Sequence, residues 1–441
     1  MLFLGITTRR NGAAGLMYNQ HEVEHKMIDW TANYGFFLNE QHDMLRKTVR
    51  DFAEKEVAPY IQEWDRKGAS HEAGIAEHMV PVIKRMGELG FLGVCLPQKY
   101  GGAGFDYLGL AIVCEELERV DTTLRVILSV HTGLNSLAVF QWGNEEQKQK
   151  YLVPQAKGEK IAAYCLTEPN AGTDVAGMQS TAVLEGDHYV LNGEKTWISL
   201  SDLADHFLVV AYTDKGKRQR GMTAFIVERT FEGVQTTPIH GKLGVRAGNT
   251  GSVVFNNVRV PVANRLGEEG EGFKIAMTAL DNGRYTVASG ATGLIQAALE
   301  ASLKYAKERE TFGVPIGNHQ LVKRMLSHMI LNLETARMLC YRAGWLKNQG
   351  IRNTRETTLA KWHATVESFD AANDAIQIHG AYGFSDEYPV ERYLRNSRGA
   401  VIYEGTRELQ ELLQADFALE ERSYKPLRCE LPAYDEAAWN E

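Results

Sequence analysis

The stretch "AYCLTEPNAGTD", residues 163–174, marks the point where the pattern of this sequence changes from helical to β. Its apolar start, Tyr164 to Leu166, predicts the end of a buried strand, and the polar, glycine-bearing remainder predicts a loop. Such loops are common where the backbone must approach another molecule closely, because glycine carries no side chain that would prevent the approach. The sequence therefore predicts a binding loop at this position.

A helical pattern precedes this loop, from about residue 36 to residue 160. Apolar residues recur there at four-residue steps, at Leu45, Val49, Ala53 and Val57. Pro59 is expected to end this first helix, because proline has no backbone N–H and its ring clashes with the preceding turn. Residues 77–94 and 108–120 predict two further helices, and the Pro/Gly-rich segment between them predicts a loop.

A β pattern follows, over about residues 162–262. Short β-branched and aromatic runs recur at regular spacing, namely "HFLVVAYT" (206–213), "MTAFIVER" (222–229) and "GSVVFNNVRV" (251–260). In "HYVLNGEKTWIS" (188–199), Asn192-Gly193 predicts a tight hairpin turn, since this dipeptide readily adopts the positive φ angles of such turns.

Helical periodicity returns after about residue 272, so the order of elements predicts an α+β protein with helical domains around a β domain. The last residues lose this periodicity. The predicted boundaries are a loosely ordered extension over 1–35, a helical domain over 36–160, a β domain over 161–270, a helical domain over 271–422 and a tail over 423–441.

The composition narrows the function classes. The 48 Lys and Arg residues are outnumbered by 56 Asp and Glu residues, which gives a net charge of −8 and argues against nucleic acid as the main partner. No apolar run approaches the ~20 residues that span a bilayer, so we expect no membrane span. The five cysteines are scattered, which favours buried thiols over disulfides or a zinc site, and no metal is predicted. We expect a cytoplasmic protein, or a mitochondrial matrix protein if the source is eukaryotic.

Seven separate motifs occur in one order along the chain: "PQKYGGAG" (97–104), "YCLTEPNAGTD" (164–174), "KTWIS" (195–199), "GEGF" (270–273), "ERETFG" (308–313), "QIHGAYGF" (377–384) and "IYEGT" (402–406). This set resembles the acyl-CoA dehydrogenases, flavoenzymes that introduce a double bond between Cα and Cβ of an acyl thioester. The resemblance covers about residues 36–421. It implies an N-terminal helical domain, a middle β-barrel domain, a C-terminal four-helix-bundle domain and bound FAD.

Glu404, in "VIYEGTREL", is the predicted catalytic base. The α-hydrogen of a thioester is weakly acidic, so a carboxylate must lie close to it while the carbonyl is polarised. Glu404 follows the apolar residues Val401 and Ile402, and burial there would raise its pKa and strengthen it as a base. The resemblance implies that this glutamate takes the α-proton, that flavin N5 takes the β-hydride, and that the Glu404 backbone N–H binds the thioester oxygen.

The resemblance also implies two sets of cofactor contacts. Around the flavin ring they are Tyr164, Leu166, Thr167, Gly172, Thr173, Trp197, Ser199, Thr406 and Glu408. Around the diphosphate and adenosine of FAD, across a subunit interface, they are Arg309, Thr311, Phe312, Gln320, Gln377, Gly380 and Ala381. Without the resemblance, Trp197 would be interpreted as core packing in a hairpin. A homotetramer, a dimer of dimers, is implied.

The predicted substrate contacts are Thr173, Asp281, Arg284, Tyr403, Gly405 and Arg125. Asp281 and Arg284 could instead form a surface i,i+3 ion pair. We expect a short- or medium-chain or cyclic acyl-CoA. In the alternative, Glu118 and Arg125 match the run of glutaryl-CoA dehydrogenases in which an arginine pairs with the distal carboxylate of the substrate. Both residues could also be solvated helix residues seven positions apart.

Three function classes remain. In the first, an acyl-CoA dehydrogenase passes its electrons to an electron-transferring flavoprotein. In the second, a flavin oxidase of the same fold uses oxygen as the acceptor. In the third, the protein carries flavin but is not an enzyme, as in relatives that bind DNA. The net negative charge of the chain and its lack of basic clusters argue against this third class.

Overall fold

The computed structural model describes residues 35, 37–69 and 75–441. The predicted extension over residues 1–35 lies almost entirely outside the described residues. The N-terminal part is helical, in the order α1 (Glu40–Phe52), α2 (Ala58–Ala69), α3 (Ile75–Glu88), α4 (Tyr107–Val120), α5 (Thr122–Leu128), α6 (Leu137–Trp142), α7 (Glu145–Gln147) and α8 (Val153–Ala156). Nearly every residue of α4 is buried, so this helix lies in the core.

The prediction that Pro59 ends the first helix is wrong. Helical structure continues to Ala69, because a π-helical turn, Ala53–Val57, separates α1 from α2. The N–H of Ala58 bonds to the carbonyl of Ala53 across this wider turn, and Pro59 then falls in the first turn of α2. A proline is tolerated at that point, since the regular α-helical ladder is already interrupted.

The middle part of the chain is a single eight-stranded sheet. Its strands are β1 (Ala162–Cys165), β2 (Thr181–Glu185), β3 (His188–Ser199), β4 (His206–Tyr212), β5 (Met222–Glu228), β6 (Val234–Pro238), β7 (Thr250–Pro261) and β8 (Arg265–Leu266). They pair in the order β6-β7-β3-β2-β4-β5-β8, and β1 pairs in parallel with β4. The predicted binding loop therefore leaves the sheet at the end of β1, where Cys165 lies opposite Val209.

The predicted hairpin turn at Asn192-Gly193 is also wrong. Both residues lie inside the continuous strand β3, and the tight turn falls at Gly186-Asp187, between the paired residues Glu185 and His188. Gly193 has a φ of 149° and lies at a β-bulge against β7. A side chain at Gly193 would overlap Ser180, so glycine is required here for close packing rather than for chain reversal.

The C-terminal part is again helical, with α9 (Gly272–Glu308), a small hairpin of β9 (Glu310–Thr311) and β10 (Val314–Pro315), α10 (Gln320–Asn348), α11 (Thr354–His379), α12 (Val390–Ala400), α13 (Arg407–Ala418) and α14 (Glu436–Trp439). The long helix α9 packs against α4, α10 and α11. The mixed helical and sheet fold agrees with the predicted fold class, while the domain boundaries stay predictions.

The predicted tail, 423–441, packs against the N-terminal helices. Trp439 is buried and its ring lies 5.6 Å edge-on from that of Tyr107, whose hydroxyl donates to the carbonyl of Pro432 at 2.7 Å.

One stretch, Thr122–Trp142, is long and apolar enough by composition to cross a bilayer, which the sequence analysis did not anticipate. Within the described residues, 94% of its most apolar window is buried inside the protein, as in a core helix.

Four of the five cysteines are buried and all five are free.

Candidate active site

Glu404 lies in the connection between α12 and α13, in a left-handed backbone conformation with a φ of 54°. This conformation is uncommon for a residue with a side chain, and it often marks a functional position. The hydroxyl of Ser129 donates to Oε1 of Glu404 at 3.1 Å. The second oxygen, Oε2, is buried and has no hydrogen-bond partner among the described residues.

The surroundings of Glu404 raise its pKa. Burial is the largest cause, because a carboxylate loses its hydration there. Arg125, Ser129, Lys361 and Arg284 act in the opposite direction but do not outweigh burial. The group is therefore a stronger base than an exposed glutamate.

Helix α9 supplies the space in which this carboxylate lies. A Cβ on Gly283 would overlap Oε2 of Glu404, and a Cβ on Gly290 would overlap Oε2 of Glu118. The two glycines are seven residues apart and therefore lie on one face of the helix. Sequence reasoning missed both, although glycines at this spacing in a long helix are a readable signal of close packing.

Three donors from three helices hold the backbone that carries Glu404. Nε of Arg284 donates to the Glu404 carbonyl at 3.2 Å. Nζ of Lys361 and Nε2 of Gln410 donate to the Gly405 carbonyl, at 2.7 and 3.1 Å. Lys361 and Ser129 were not predicted, because nothing nearby in the sequence connects them to Glu404.

Arg284 also pairs with Asp281, at 3.0 Å. The alternative of a surface ion pair is wrong, since the two side chains are only 7% and 15% exposed. Asp281 accepts a further hydrogen bond from the hydroxyl of Thr354, at 2.5 Å. This arrangement ties α9 and α11 to the segment that carries Glu404.

Arg125 and Glu118 form a buried ion pair at 2.6 Å, with side chains 1% and 0% exposed. The alternative that both are solvated helix residues is therefore wrong. Nη2 of Arg125 donates to the hydroxyl of Tyr403, the residue before Glu404, at 2.5 Å. Two of the three nitrogens of the Arg125 guanidinium, Nε and Nη2, are therefore held by partners on this chain.

The predicted binding loop is clamped to β3. Its residue Glu168 forms a buried ion pair with Lys195 at 2.8 Å, and the N–H of Thr196 donates to the carbonyl of Thr167 at 2.9 Å. Tyr164 and Leu166 are buried, whereas Thr167 is half-buried and the tip, Gly172 and Thr173, is exposed. The loop and the "KTWIS" segment thus meet, which the sequence predicted only through the resemblance.

Trp197 points away from the core. It lies at a bulge of β3 against β7, with a φ of 59°, and is 61% exposed. The interpretation as core packing is therefore wrong. Two residues on, Ser199 is half-buried and pairs with Thr250. An aromatic face is left uncovered beside the binding loop.

The other predicted cofactor residues lie at the surface of this chain. Phe312 is 96% exposed, in the turn between β9 and β10. Thr406 caps the start of α13, and Glu408 pairs with Arg407 at 3.1 Å. The exposed members of the group are Arg309, Gln320, Gln377, Gly380 and Ala381, while Thr311 is half-buried and bonds to His319 at 2.9 Å. Within the described residues, no hydrogen bond or ion pair joins Arg309, Thr311, Phe312, Gln320, Gln377, Gly380 or Ala381 to the Glu404 segment.

The chain matches three family models in sequence order. They are the acyl-CoA dehydrogenase N-terminal domain (residues 39–159), middle domain (163–258) and C-terminal domain (270–419). It is similar to the short-chain specific acyl-CoA dehydrogenase of Clostridium acetobutylicum, with 44% identity over 86% of this chain and 98% of the relative.

Many solved structures are also similar to this chain. A glutaryl-coenzyme A dehydrogenase in complex with glutaryl-CoA has a TM-score of 0.84 and 37% identity over 90% of this chain and 99% of that one. A structure of the electron transferring flavoprotein of Acidaminococcus fermentans has a TM-score of 0.83 and 41% identity over 87% and 98%. These matches confirm the resemblance that the motifs indicated. The chain belongs to the acyl-CoA dehydrogenase family of FAD-dependent oxidoreductases.

Proposed function

We propose that this protein catalyses the α,β-dehydrogenation of an acyl-CoA thioester, with Glu404 as the base that takes the α-proton. The observation that supports this role is the burial of the Glu404 carboxylate. Its Oε2 lacks a hydrogen-bond partner among the described residues, and its pKa is raised. A buried acceptor without a partner is unfavourable in a structural role. It is favourable in a base that must receive a proton from a bound substrate.

The backbone at Glu404 supplies the second requirement, polarisation of the thioester carbonyl. No acceptor for the N–H of Glu404 is found among the described residues. We infer that this N–H donates to the thioester oxygen, as an oxyanion hole does. Tyr403, Gly405, Asp281 and Arg284 shape and hold this part of the pocket. The exposed Thr173 lies on the loop side, where we place the CoA portion.

The described residues fit a bound flavin. Trp197 leaves an aromatic face exposed, and no atom lies within 4 Å of the position where a Cβ of Gly172 would stand. Bound FAD would supply the acceptor for the β-hydride. The residues that would hold its ring are Tyr164, Leu166, Thr167, Gly172, Thr173, Trp197, Ser199, Thr406 and Glu408.

A partner subunit would complete the cofactor site. Arg309 and Phe312 are exposed, and the position of a Gly380 Cβ is open within 4 Å. The ring of Phe312 is almost fully exposed in this chain and is therefore free to contact a neighbouring subunit. We infer that Arg309, Thr311, Phe312, Gln320, Gln377, Gly380 and Ala381 reach the diphosphate and adenosine of FAD in a neighbouring subunit of a homotetramer.

The burial of Arg125 favours one particular acyl group. A buried guanidinium beside the acyl chain penalises a plain alkyl group and favours a second carboxylate. We therefore favour, as a second and finer proposal, a glutaryl-CoA-type dicarboxylic substrate whose distal carboxylate pairs with Arg125. A short- or medium-chain or cyclic acyl-CoA is the competing substrate.

Anaerobic mixing of the purified yellow protein with a panel of acyl-CoAs tests the main proposal. We expect at least one acyl-CoA to bleach the flavin, and Glu404→Gln to slow bleaching by about 10²–10⁴-fold with FAD still bound. The matched control is Glu411→Gln, which changes an exposed acid on α13 and should bleach at the parental rate. Parental bleaching by Glu404→Gln would refute the assignment of the base. Rapid oxygen uptake without an added acceptor would indicate the oxidase alternative.

The substrate proposal needs a variant that leaves no unpaired buried charge. Replacing Arg125 and Glu118 together, by Leu and Gln, removes the ion pair as a unit. We expect kcat/KM for glutaryl-CoA to fall by at least tenfold more than kcat/KM for butyryl-CoA. Tyr403→Phe is the milder control, because it removes only the hydroxyl that holds Arg125. Equal losses of kcat/KM for glutaryl-CoA and butyryl-CoA would refute the proposal that Arg125 binds the distal carboxylate of a dicarboxylic substrate.

We infer an electron-transferring flavoprotein as the acceptor of the electrons, which the similarity to the Acidaminococcus structure supports. Curated relatives come from bacteria and from mammalian mitochondria. We therefore place the protein in the bacterial cytoplasm or, if its source is eukaryotic, in the mitochondrial matrix. Reduction of a purified electron-transferring flavoprotein in the presence of substrate checks the acceptor.

A further inference from the structure

Lys361 is a lysine in the interior of α11 with a fully buried side chain. A buried ammonium is unfavourable unless hydrogen bonds or charges compensate it. The one hydrogen bond that Nζ of Lys361 makes among the described residues is to the carbonyl of Gly405, at 2.7 Å. That carbonyl belongs to the residue directly after Glu404.

The turn at Glu404 and Gly405 needs this support. Both residues have positive φ angles, 54° and 96°, and a Cβ on Gly405 would overlap the side chain of Gln410. A left-handed conformation persists at a residue such as Glu404 only where the surroundings hold it. If the turn relaxed, the carboxylate would leave its place above Gly283.

We propose that Lys361 is a positioning residue for the reaction: its buried ammonium holds the Gly405 carbonyl and thereby keeps the Glu404 carboxylate aimed into the pocket. This proposal rests on the proposed role of Glu404 as the base. Lys361 does not touch the reacting atoms. It acts through the backbone and through its positive charge beside the carboxylate.

The charge contributes a second effect. Lys361 lowers the pKa of Glu404 and so offsets part of the effect of burial. Burial lowers the pKa of Lys361 itself to about 7, although Glu404 acts in the opposite direction. The other charged or titratable groups around the two residues are Cys114, Glu118, Arg125, Tyr164, Asp281, Arg284, Tyr403 and Glu408.

The pH profile of kcat/KM separates positioning from general stability. In Lys361→Gln, which can still donate a hydrogen bond but carries no charge, we expect the acid limb to move to higher pH. Lys361→Arg keeps the charge at all accessible pH values. This variant should retain the parental acid limb and lose any decline in rate as pH rises through about 7. An unchanged acid limb in Lys361→Gln would overturn the proposal.

Lys347→Gln is the matched control. Lys347 is also a buried lysine, with a pKa lowered by burial to about 8, but its Nζ donates to Asn282 rather than to the Glu404 segment. We expect its acid limb to match that of the parent. A shift equal to that of Lys361→Gln would show that loss of any buried lysine has this effect, which would also overturn the proposal.

Hydrogen–deuterium exchange supplies a readout that does not depend on activity. We expect Lys361→Met to increase exchange of the amides of residues 402–406 at least tenfold, while exchange in β3 and β7 stays at the parental rate. Unchanged exchange at 402–406 would overturn the positioning role even if the protein proved inactive toward every acyl-CoA. Inactivity of the parent chain would overturn only the proposed function.

Discussion

Two buried carboxylates of this protein, Glu404 and Glu116, lie in regions that have opposite effects on their pKa values. The first is the pocket of Glu404. The second, here named the α4 charge cluster, comprises Arg46, Arg50, Glu115, Glu116, Arg119 and Arg337. In this cluster Glu116 accepts from Nη1 of Arg46 at 2.9 Å and from Nε of Arg50 at 2.8 Å.

The pKa values show the consequence. Burial alone would raise the pKa of Glu116, but Arg46, Arg50 and Arg119 together hold it at about 2. Burial raises the pKa of Glu404, and the cations near that residue do not reverse the effect. Burial by itself therefore does not make a base. What distinguishes the carboxylate of the candidate base, Glu404, is that its donors are too few.

The largest expected effect tests the α4 charge cluster. Replacing Glu116 by Gln leaves the buried Arg46 and the half-buried Arg50 without their main partner, so we expect a loss of about 3–5 kcal/mol in the free energy of unfolding. Urea denaturation monitored by circular dichroism measures this loss. The control is Glu54→Gln, which removes an exposed partner of Arg119 and should change stability by less than about 1 kcal/mol.

The next effect concerns the space beneath the base. Gly283→Ala places a methyl group where Oε2 of Glu404 lies, so the carboxylate must move. A misplacement of about 1 Å lowers catalytic rates by up to about 10²-fold, and we expect a loss of this order in the bleaching rate. Gly290→Ala, two turns along α9, should instead disturb the Glu118–Arg125 pair. If Gly283→Ala bleached at the parental rate, the geometry assigned to the pocket would be wrong.

A smaller effect, of opposite sign, is expected for Glu404→Gln. Glutamine removes a poorly solvated charge, so we expect the free energy of unfolding to rise by up to about 1 kcal/mol while activity is lost. Thermal unfolding of the FAD-bound protein measures the change. A clear fall in Tm would mean that Glu404 stabilises the fold, as Glu116 does.

The last prediction concerns the pH dependence of stability. Because the folded-state pKa of Glu116 is about 2, its contribution is complete above its ordinary value of 4.5 and is lost as pH falls from 4.5 toward 2. Glu404 has a raised pKa, so its folded state binds the proton more tightly, and stability falls as pH rises from 4.5 through the raised value. Unfolding of each Gln variant against the parent, between pH 3 and 8, should give differences of opposite slope.

Local sequence patterns predicted much of the fold, and they failed where packing opposed them. The period of the apolar residues predicted α4, and the β-branched runs predicted β4 and β5. Pro59 did not end a helix, because the π-helical turn before it already interrupts the regular α-helical hydrogen bonds. Asn192-Gly193 did not reverse the chain, because Gly193 is needed for close contact with Ser180.

The candidate site shows the same division. Motifs pointed to Glu404, Arg284 and Trp197, because the chemistry of each lies in a short run of residues. Ser129, Gly283 and Lys361 lay beyond such reasoning, since each meets Glu404 or the adjacent Gly405 from a different helix, 43–275 residues before Glu404 in the chain.

The sequence by itself determined the family, the order of helices and strands and the identity of the predicted base, because these depend on neighbouring residues. Only the tertiary structure decided that Glu404 has too few donors while Glu116 has enough. A pKa depends on solvation and on charges that approach through space, and those distances are set when α4, α9, α11 and the connection before α13 pack together.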